Sequence, residues 1–271
     1  MKQLFIAFVL LCGLNGLAQV KNDLANEGLK GRVKMVTEIE YVDERMTKPF
    51  MKTVDKYNIK GNLTETIHDD YVLKQHSRNY IKYDTDANGM VTKHNEFNDT
   101  GMLVRMVIYR YDTLKQITEE EDHRYYDGRE TVYRNEYTYD SHKKLLHEQN
   151  YVNGLLHLSV AYTYDNAGKL TGSKSHDTAG KQVGLTDYQY YPGGGDWIHC
   201  EKQAENSRTH VFRILDSTGC MIEKTTYTDD YAKQTNETNL KFDKQGNWLI
   251  QSVKGTITEH FFISRRIEYY K

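Results

Sequence analysis

Proline is nearly absent: the 271 residues contain only Pro49 and Pro192. Proline cannot donate a backbone N–H to a sheet ladder, and neither copy falls inside a strand-like run, so extended structure can occupy most of the chain. Cysteine is scarce too, with three copies, and Cys12 lies in an apolar leader. Cys200 and Cys220 remain. In a meander they fall two strands apart, roughly 10 Å at ordinary strand spacing, which is beyond disulfide reach unless the sheet folds sharply. Their spacing fits no zinc motif. Neither charge sign dominates, since 36 Lys and Arg face 38 Asp and Glu for a net charge of −2. With both signs mixed along the chain, no basic stripe suggests a nucleic-acid partner and no polybasic patch suggests anionic lipid. No Pro-, Ser- or charge-rich linker divides the chain, so one domain is expected.

The only long apolar run is at the start. Lys2 precedes an apolar stretch at residues 4–14, and Gly16-Leu17-Ala18 supplies small residues for a signal peptidase. This is the pattern of a secretory signal peptide over residues 1–18, leaving residues 19–271 as the exported body. A lipoprotein alternative centred on Cys12 has Leu11 where a small residue is normally wanted. The run is short for a membrane span. The expected location is the periplasm, the cell surface or the medium, with no membrane span in the mature protein.

What the chain has in abundance is tyrosine, 22 copies against 8 Phe. Tyr forms strands well, buries its ring and keeps its hydroxyl in water. A phrase built on it recurs: an aromatic residue, usually Asp, two to four residues to Gly or a substitute, then an aliphatic residue. The clearest copy is Tyr162-Thr163-Tyr164-Asp165-Asn166-Ala167-Gly168-Lys169-Leu170, with relatives starting at Tyr57, Tyr83, Phe97, Tyr139, Leu215 and Phe242. Asp is expected to open each turn by accepting backbone N–H bonds two or three residues on, and Gly to take positive φ. The rings are expected to stack on their cross-strand equivalents.

Tyr83, Phe97 and Tyr111 are 14 residues apart, room for one strand and a tight turn. Between turns the residues alternate, as in Tyr133, Asn135, Tyr137 and Tyr139 against Arg134, Glu136 and Thr138, which is half-buried strand. Turns this short join antiparallel neighbours. The predicted fold is therefore all-β, an antiparallel up-and-down meander of repeated hairpins, roughly 14 to 17 strands, forming a long curved or coiled sheet. Residues 21–29 have room for a turn or two of helix. Residues 32–40 and 263–269 are expected to be edge strands whose charges block pairing with other molecules.

The phrase resembles the YD repeat of RHS-type bacterial proteins, whose units read Tyr-x-Tyr-Asp, two residues, Gly, then Leu or a relative. Tyr162 to Leu170 matches at every position. Tyr137-Thr138-Tyr139-Asp140 matches until Lys143, which stands where Gly is expected. MORN-like sheets are a weaker resemblance. The likeness implies an extracytoplasmic binding or structural surface, with carbohydrate binding associated with such repeats. It implies no chemistry.

Nothing in the residues points to a cofactor, a metal or a catalytic group. Eleven histidines are scattered without metal-ligand spacing, and no GxSxG elbow, Walker loop or dinucleotide fingerprint occurs. Gly193-Gly194-Gly195 lacks the Lys and helix of a phosphate loop. The acidic run from Glu119 to Asp122, followed by His123, reads as a solvated strand before it reads as a cation site. An outer-membrane barrel would need an uncharged lipid-facing surface; Arg134 and Glu136 lie opposite the Tyr-rich face, but that face is interrupted by Asn135, and the mean hydropathy is −0.77. The candidate ligand-binding residues are the exposed aromatics Tyr125, Tyr126, Tyr190 and Tyr191, with Trp197 and Trp248 just after turns. The expected role is non-enzymatic: binding a glycan or a cell-envelope protein. A structural protein that docks its sheet on a partner is the alternative, and a glycoside-active enzyme the more distant one.

Overall fold

The computed structural model describes residues 22–190, 195–202, 207–215, 221–228, 233–255 and 260–271. The leader, Tyr191, Gly193 and Cys220 lie outside them, as do the side chains of Trp197 and Cys200. One short helix, α1 (Asp23–Asn26), comes first. It is followed by β1 (Val33–Tyr41), β2 (Pro49–Tyr57), β3 (Leu63–Asp70), β4 (Gln75–Thr85), β5 (Val91–Phe97) and β6 (Leu103–Tyr111). Next come β7 (Ile117–Tyr126), β8 (Arg129–Tyr139), β9 (Leu145–Val152), β10 (Leu155–Tyr164), β11 (Leu170–His176) and β12 (Gln182–Tyr190). The last are β13 (Gly195–Lys202), β14 (Ser207–Leu215), β15 (Met221–Thr228), β16 (Lys233–Phe242), β17 (Trp248–Gly255) and β18 (Phe261–Tyr269).

The fold is the expected all-β, antiparallel, up-and-down meander. Among the described residues 18 strands form one sheet, in which each strand pairs with the one before and the one after. The expectation of two free edges is corrected. β1 pairs with β2 and also with β18: Thr37 has Val54 as its partner on one side and Arg266 on the other. The hydrogen-bonded order therefore returns to its start, and neither terminal strand is left open. The charges assigned to edge protection instead form the seam, where Arg265 donates to Glu38 across the β1–β18 pair.

A circular order gives the sheet an inner and an outer face. The outer face carries ion pairs from strand to strand, including Lys56–Glu65 at 3.0 Å, Arg78–Glu65 at 2.6 Å and Arg110–Glu119 at 2.8 Å. Helix α1 packs on the inner face. Leu24 is buried there with Val33, Val36 and Tyr57, against Leu29, Leu63, Ile267 and Tyr269. Asn22 caps α1 by accepting from the Ala25 N–H at 3.0 Å, a standard way to satisfy an orphan helical donor. The Asp23 carboxylate accepts from the Leu63 N–H at 2.6 Å and the Tyr83 hydroxyl at 2.9 Å. The leading segment is thus tied to one end of the ring, the near end.

The turns at the near end explain the repeated phrase. After β10, the Asp165 N–H donates to the Lys169 carbonyl and the Gly168 N–H to the Asp165 carbonyl, both at 2.9 Å. Gly168 has φ +82°. This is a type I turn closed by a left-handed residue and a bulge. The same turn recurs at Asp86, Asp112, Asp140 and Asp243. The Asp side chain accepts from residues two and four positions on, not two and three: Asp140 Oδ1 takes the His142 and Lys144 N–H groups, each at 2.8 Å. Lys143, where the phrase lacks Gly, still adopts φ +67°.

The bulge also sets side-chain direction. The register shifts between Thr163 and Tyr164, so Tyr164 pairs with Leu170 and both lie on the inner face. Shifts at Tyr57, Thr85, Tyr111, Tyr139 and Phe242 do the same. Tyr57, Tyr83, Tyr111, Tyr139, Tyr164 and Tyr190 are 25 to 28 residues apart. The structural repeat is therefore a pair of strands, with its aromatic always at the near end.

Candidate functional site

At the near end the tyrosines bind the backbone of the neighbouring strand. Tyr83 donates its hydroxyl to the Leu63 carbonyl at 2.7 Å, Tyr111 to Val91 at 2.6 Å, and Tyr139 to Ile117 at 2.7 Å. Tyr164 reaches Leu145 at 2.8 Å and Tyr190 reaches Leu170 at 2.9 Å. Each acceptor is the first residue of the preceding strand, beside its bulge. A bulge interrupts the ladder, and the tyrosine supplies a donor to the backbone there. Lysines from neighbouring turns cover two of the rings: Lys144 lies 5.4 Å from the centroid of Tyr164, and Lys169 lies 5.0 Å from that of Tyr190. Beyond the ring stacking expected from the sequence, these tyrosines make hydroxyl-to-carbonyl bonds and cation–π contacts.

Deeper along the inner face the residues become polar and interlocked. Tyr162 donates to Glu148 Oε2 at 2.7 Å, and Asn150 Nδ2 donates to Glu148 Oε1 at 2.7 Å and to Asn135 Oδ1 at 2.9 Å. Tyr137 is the strand partner of Glu148, and Asn135 that of Glu120, whose other partner is Tyr109. Arg105 grips Asp122 with two bonds, at 2.8 and 3.0 Å, and Arg124 adds a third at 2.9 Å. These bonds hold Asp122 below its ordinary carboxylate range against the effect of burial. Burial, with Asp122 adding, raises Glu120. Burial raises Tyr109 and Tyr137 well above the ordinary phenol value.

His94 completes the patch. Its ring lies between Tyr83 and Tyr109, with centroids 5.7 and 5.9 Å away, and Nδ1 is 3.3 Å from the Tyr109 hydroxyl. Burial, helped by Arg105, lowers its pKa to about 4. Hydroxyl, amide, carboxylate and ring edge are thus set side by side from β5 to β10. Among the described residues no buried side-chain nitrogen or oxygen lacks a partner. A hydroxyl-rich molecule on this face would exchange hydrogen bonds with groups whose directions are already fixed by their neighbours.

The aromatics singled out from sequence are not brought together. Trp248 and Tyr190 lie at the near end, and Tyr190 spends its hydroxyl on Leu170. Trp248 is covered by the Arg265 guanidinium, 3.5 Å from the ring centroid. Tyr125 and Tyr126 lie at the opposite, far end, where Tyr126 is 79% exposed. Trp197 has its backbone in β13 opposite Gln189 and Phe212. The acidic run splits between faces, as alternation requires. Glu119 and Glu121 point out with His123, whose imidazole contacts Glu121 and Glu130, each at 2.7 Å, while Glu120 and Asp122 point in. No three acidic, His or Cys groups among the described residues are placed to hold a metal ion. Sequence reasoning missed Asn135, Glu148, Asn150 and Tyr162. The signal was the alternation, which puts Asn135 in a row of tyrosines.

The described residues define an antiparallel β-repeat protein with a circular strand order. No family model matches the chain, and no curated protein matches it. Among solved structures, a porin-like protein from Bacteroides uniformis aligns over 87% of this chain and 98% of its own, at 10% identity and a TM-score of 0.46. The TcdB2-TccC3 structure without its hypervariable C-terminal region aligns over 83% of this chain, which spans 15% of that one, at 12% identity and a TM-score of 0.30. At these scores neither likeness bears on function. No helix among the described residues is long and apolar enough to cross a membrane.

Proposed function

We propose that this is an exported, non-enzymatic binding protein whose ligand is a glycan held on the inner face. The observation that carries the reading is the Tyr162–Glu148–Asn150–Asn135 hydrogen-bonded row, beside Tyr137, Tyr109 and Glu120. Sugars present hydroxyls that exchange hydrogen bonds with carboxylates and amides, and C–H faces that lie on aromatic rings. The patch offers both. The YD-type reading of the repeat supports the same class, since the Asp-opened turn with a left-handed fourth residue recurs at Asp86, Asp112, Asp140, Asp165 and Asp243. Docking by strand addition to a partner is disfavoured, because each strand already has two neighbours.

A glycan array with the purified protein tests this. The expected result is a reproducible hit that Asn150→Ala or Tyr137→Ala weakens by roughly tenfold or more, the loss of one or two good polar or ring contacts. Tyr126→Ala, at the far end, should leave the hit unchanged. A blank array from folded protein, or equal weakening by all three variants, would overturn the assignment.

A further inference from the structure

Large apolar side chains are exposed unevenly. Of the thirteen such residues among those described, eight lie in or beside the five successive far-end turns from β1 to β10. They are Val42, the Tyr71-Val72-Leu73 tip, Met102, Tyr126 and the Leu155-Leu156 pair. Val72 is 71% exposed, Tyr126 79% and Leu155 76%. Among the described residues, the near-end turns show only Ile59 and Leu114 of this kind. Single exposed apolar residues are ordinary, but a run of them on consecutive turns at one end is not.

We infer that this crest dips into the interface of a lipid bilayer, so that the ring stands on a membrane surface without crossing it. Three observations select lipid as the occupant. First, the apolar groups sit on separate hairpin tips, two strands or about 9–10 Å apart. A deformable interface fills the gaps between such points, whereas a folded protein partner meets a continuous patch. Second, the residues are Leu, Val and Met together with Tyr71 and Tyr126, the mixture that partitions to the headgroup boundary. Third, the charges on these turns nearly balance: Asp43, Glu44, Asp99 and Asp127 against Arg45, Lys48 and Lys74. That balance suits a zwitterionic surface and gives no preference for anionic lipid. The outer face, crossed by ion pairs, is no lipid contact, so only the tips enter.

The test is flotation of the purified protein with phosphatidylcholine vesicles, and with the same vesicles carrying added phosphatidylglycerol. The wild type is expected to float with both to a similar extent. A crest variant combining Val72→Glu, Leu73→Glu, Leu155→Glu and Leu156→Glu should lose at least roughly tenfold in partitioning. Ile59→Glu with Leu114→Glu, also exposed but at the near end, should float as the wild type does. Circular dichroism of the crest variant checks that these solvent-exposed changes leave the fold intact. Wild type that stays unbound, or a near-end variant that loses binding equally, overturns the inference. Self-association of unbound wild type, abolished in the crest variant, would assign the crest to a second copy of the chain instead.

Discussion

His94 shows how one side chain ties burial to solution conditions. The folded chain keeps its imidazole neutral down to about pH 4, while an unfolded chain takes up a proton near the ordinary value of about 6.5. The stability that this contributes is complete above the unfolded value and is lost as pH falls from about 6.5 to about 4, on the order of 3 kcal/mol in all. Glu27, Glu40, Asp55 and Glu120 run the other way. Burial raises each of them, so their contribution is present at low pH and is lost as pH rises through their folded values. Replacing His94 with Phe, which keeps a ring between Tyr83 and Tyr109, separates the two effects. The melting temperature of the variant relative to wild type is expected to climb steadily as pH is lowered from 7 toward 4. A difference that stays flat over that interval would show that His94 does not titrate as described. Tyr164 gives a simpler measurement. Tyr164→Phe removes only the hydroxyl bonded to Leu145, and should cost about 1 kcal/mol, or roughly 2–4 °C in melting temperature.

The strand-pair unit was partly legible in the sequence. Asp165 and Gly168 announced a turn, because Asp readily accepts the turn's backbone N–H bonds and Gly takes positive φ without a Cβ clash. Gly168→Val should therefore be more damaging than Ala167→Val, by about 1–2 kcal/mol for the left-handed backbone alone. A Cβ at Gly168 would also come within 2.9 Å of Lys144 Nζ, the amine lying over Tyr164. Equal melting shifts would remove the turn assignment. What could not be read was the destination of the tyrosine hydroxyls. Tyr164 and Leu145 are 19 positions apart, and their meeting depends on a bulge that moves one residue out of register. The copy at Phe97 was likewise misleading about period. It sits at the far end, with its ring on the outer face beneath Lys82 at 5.2 Å, so the count of 14 residues between anchors joined opposite ends of the sheet.

For the whole molecule, local pattern specified every neighbour but one. Short turns dictate which strand follows which, but nothing in residues 33–41 names residues 261–269 as a partner. The charges of Glu38 and Arg265 looked like edge protection because, taken singly, seam and edge have the same composition. Thr37→Cys with Arg266→Cys places two thiols on partners across the seam, within disulfide reach. Oxidation is expected to link them nearly completely, whereas Thr37→Cys with Tyr80→Cys should remain free. Failure of the seam pair to link in folded protein would open the circle. That single contact also shapes how the chain reaches its native state. Hairpin pairings close over a few residues and form quickly, but β1 and β18 must find each other across the whole repeat. Until they do, a nearly complete sheet carries two sticky borders that invite strands from other molecules. Dilution during refolding should therefore raise the yield, since the seam forms within one chain while its competitors need two.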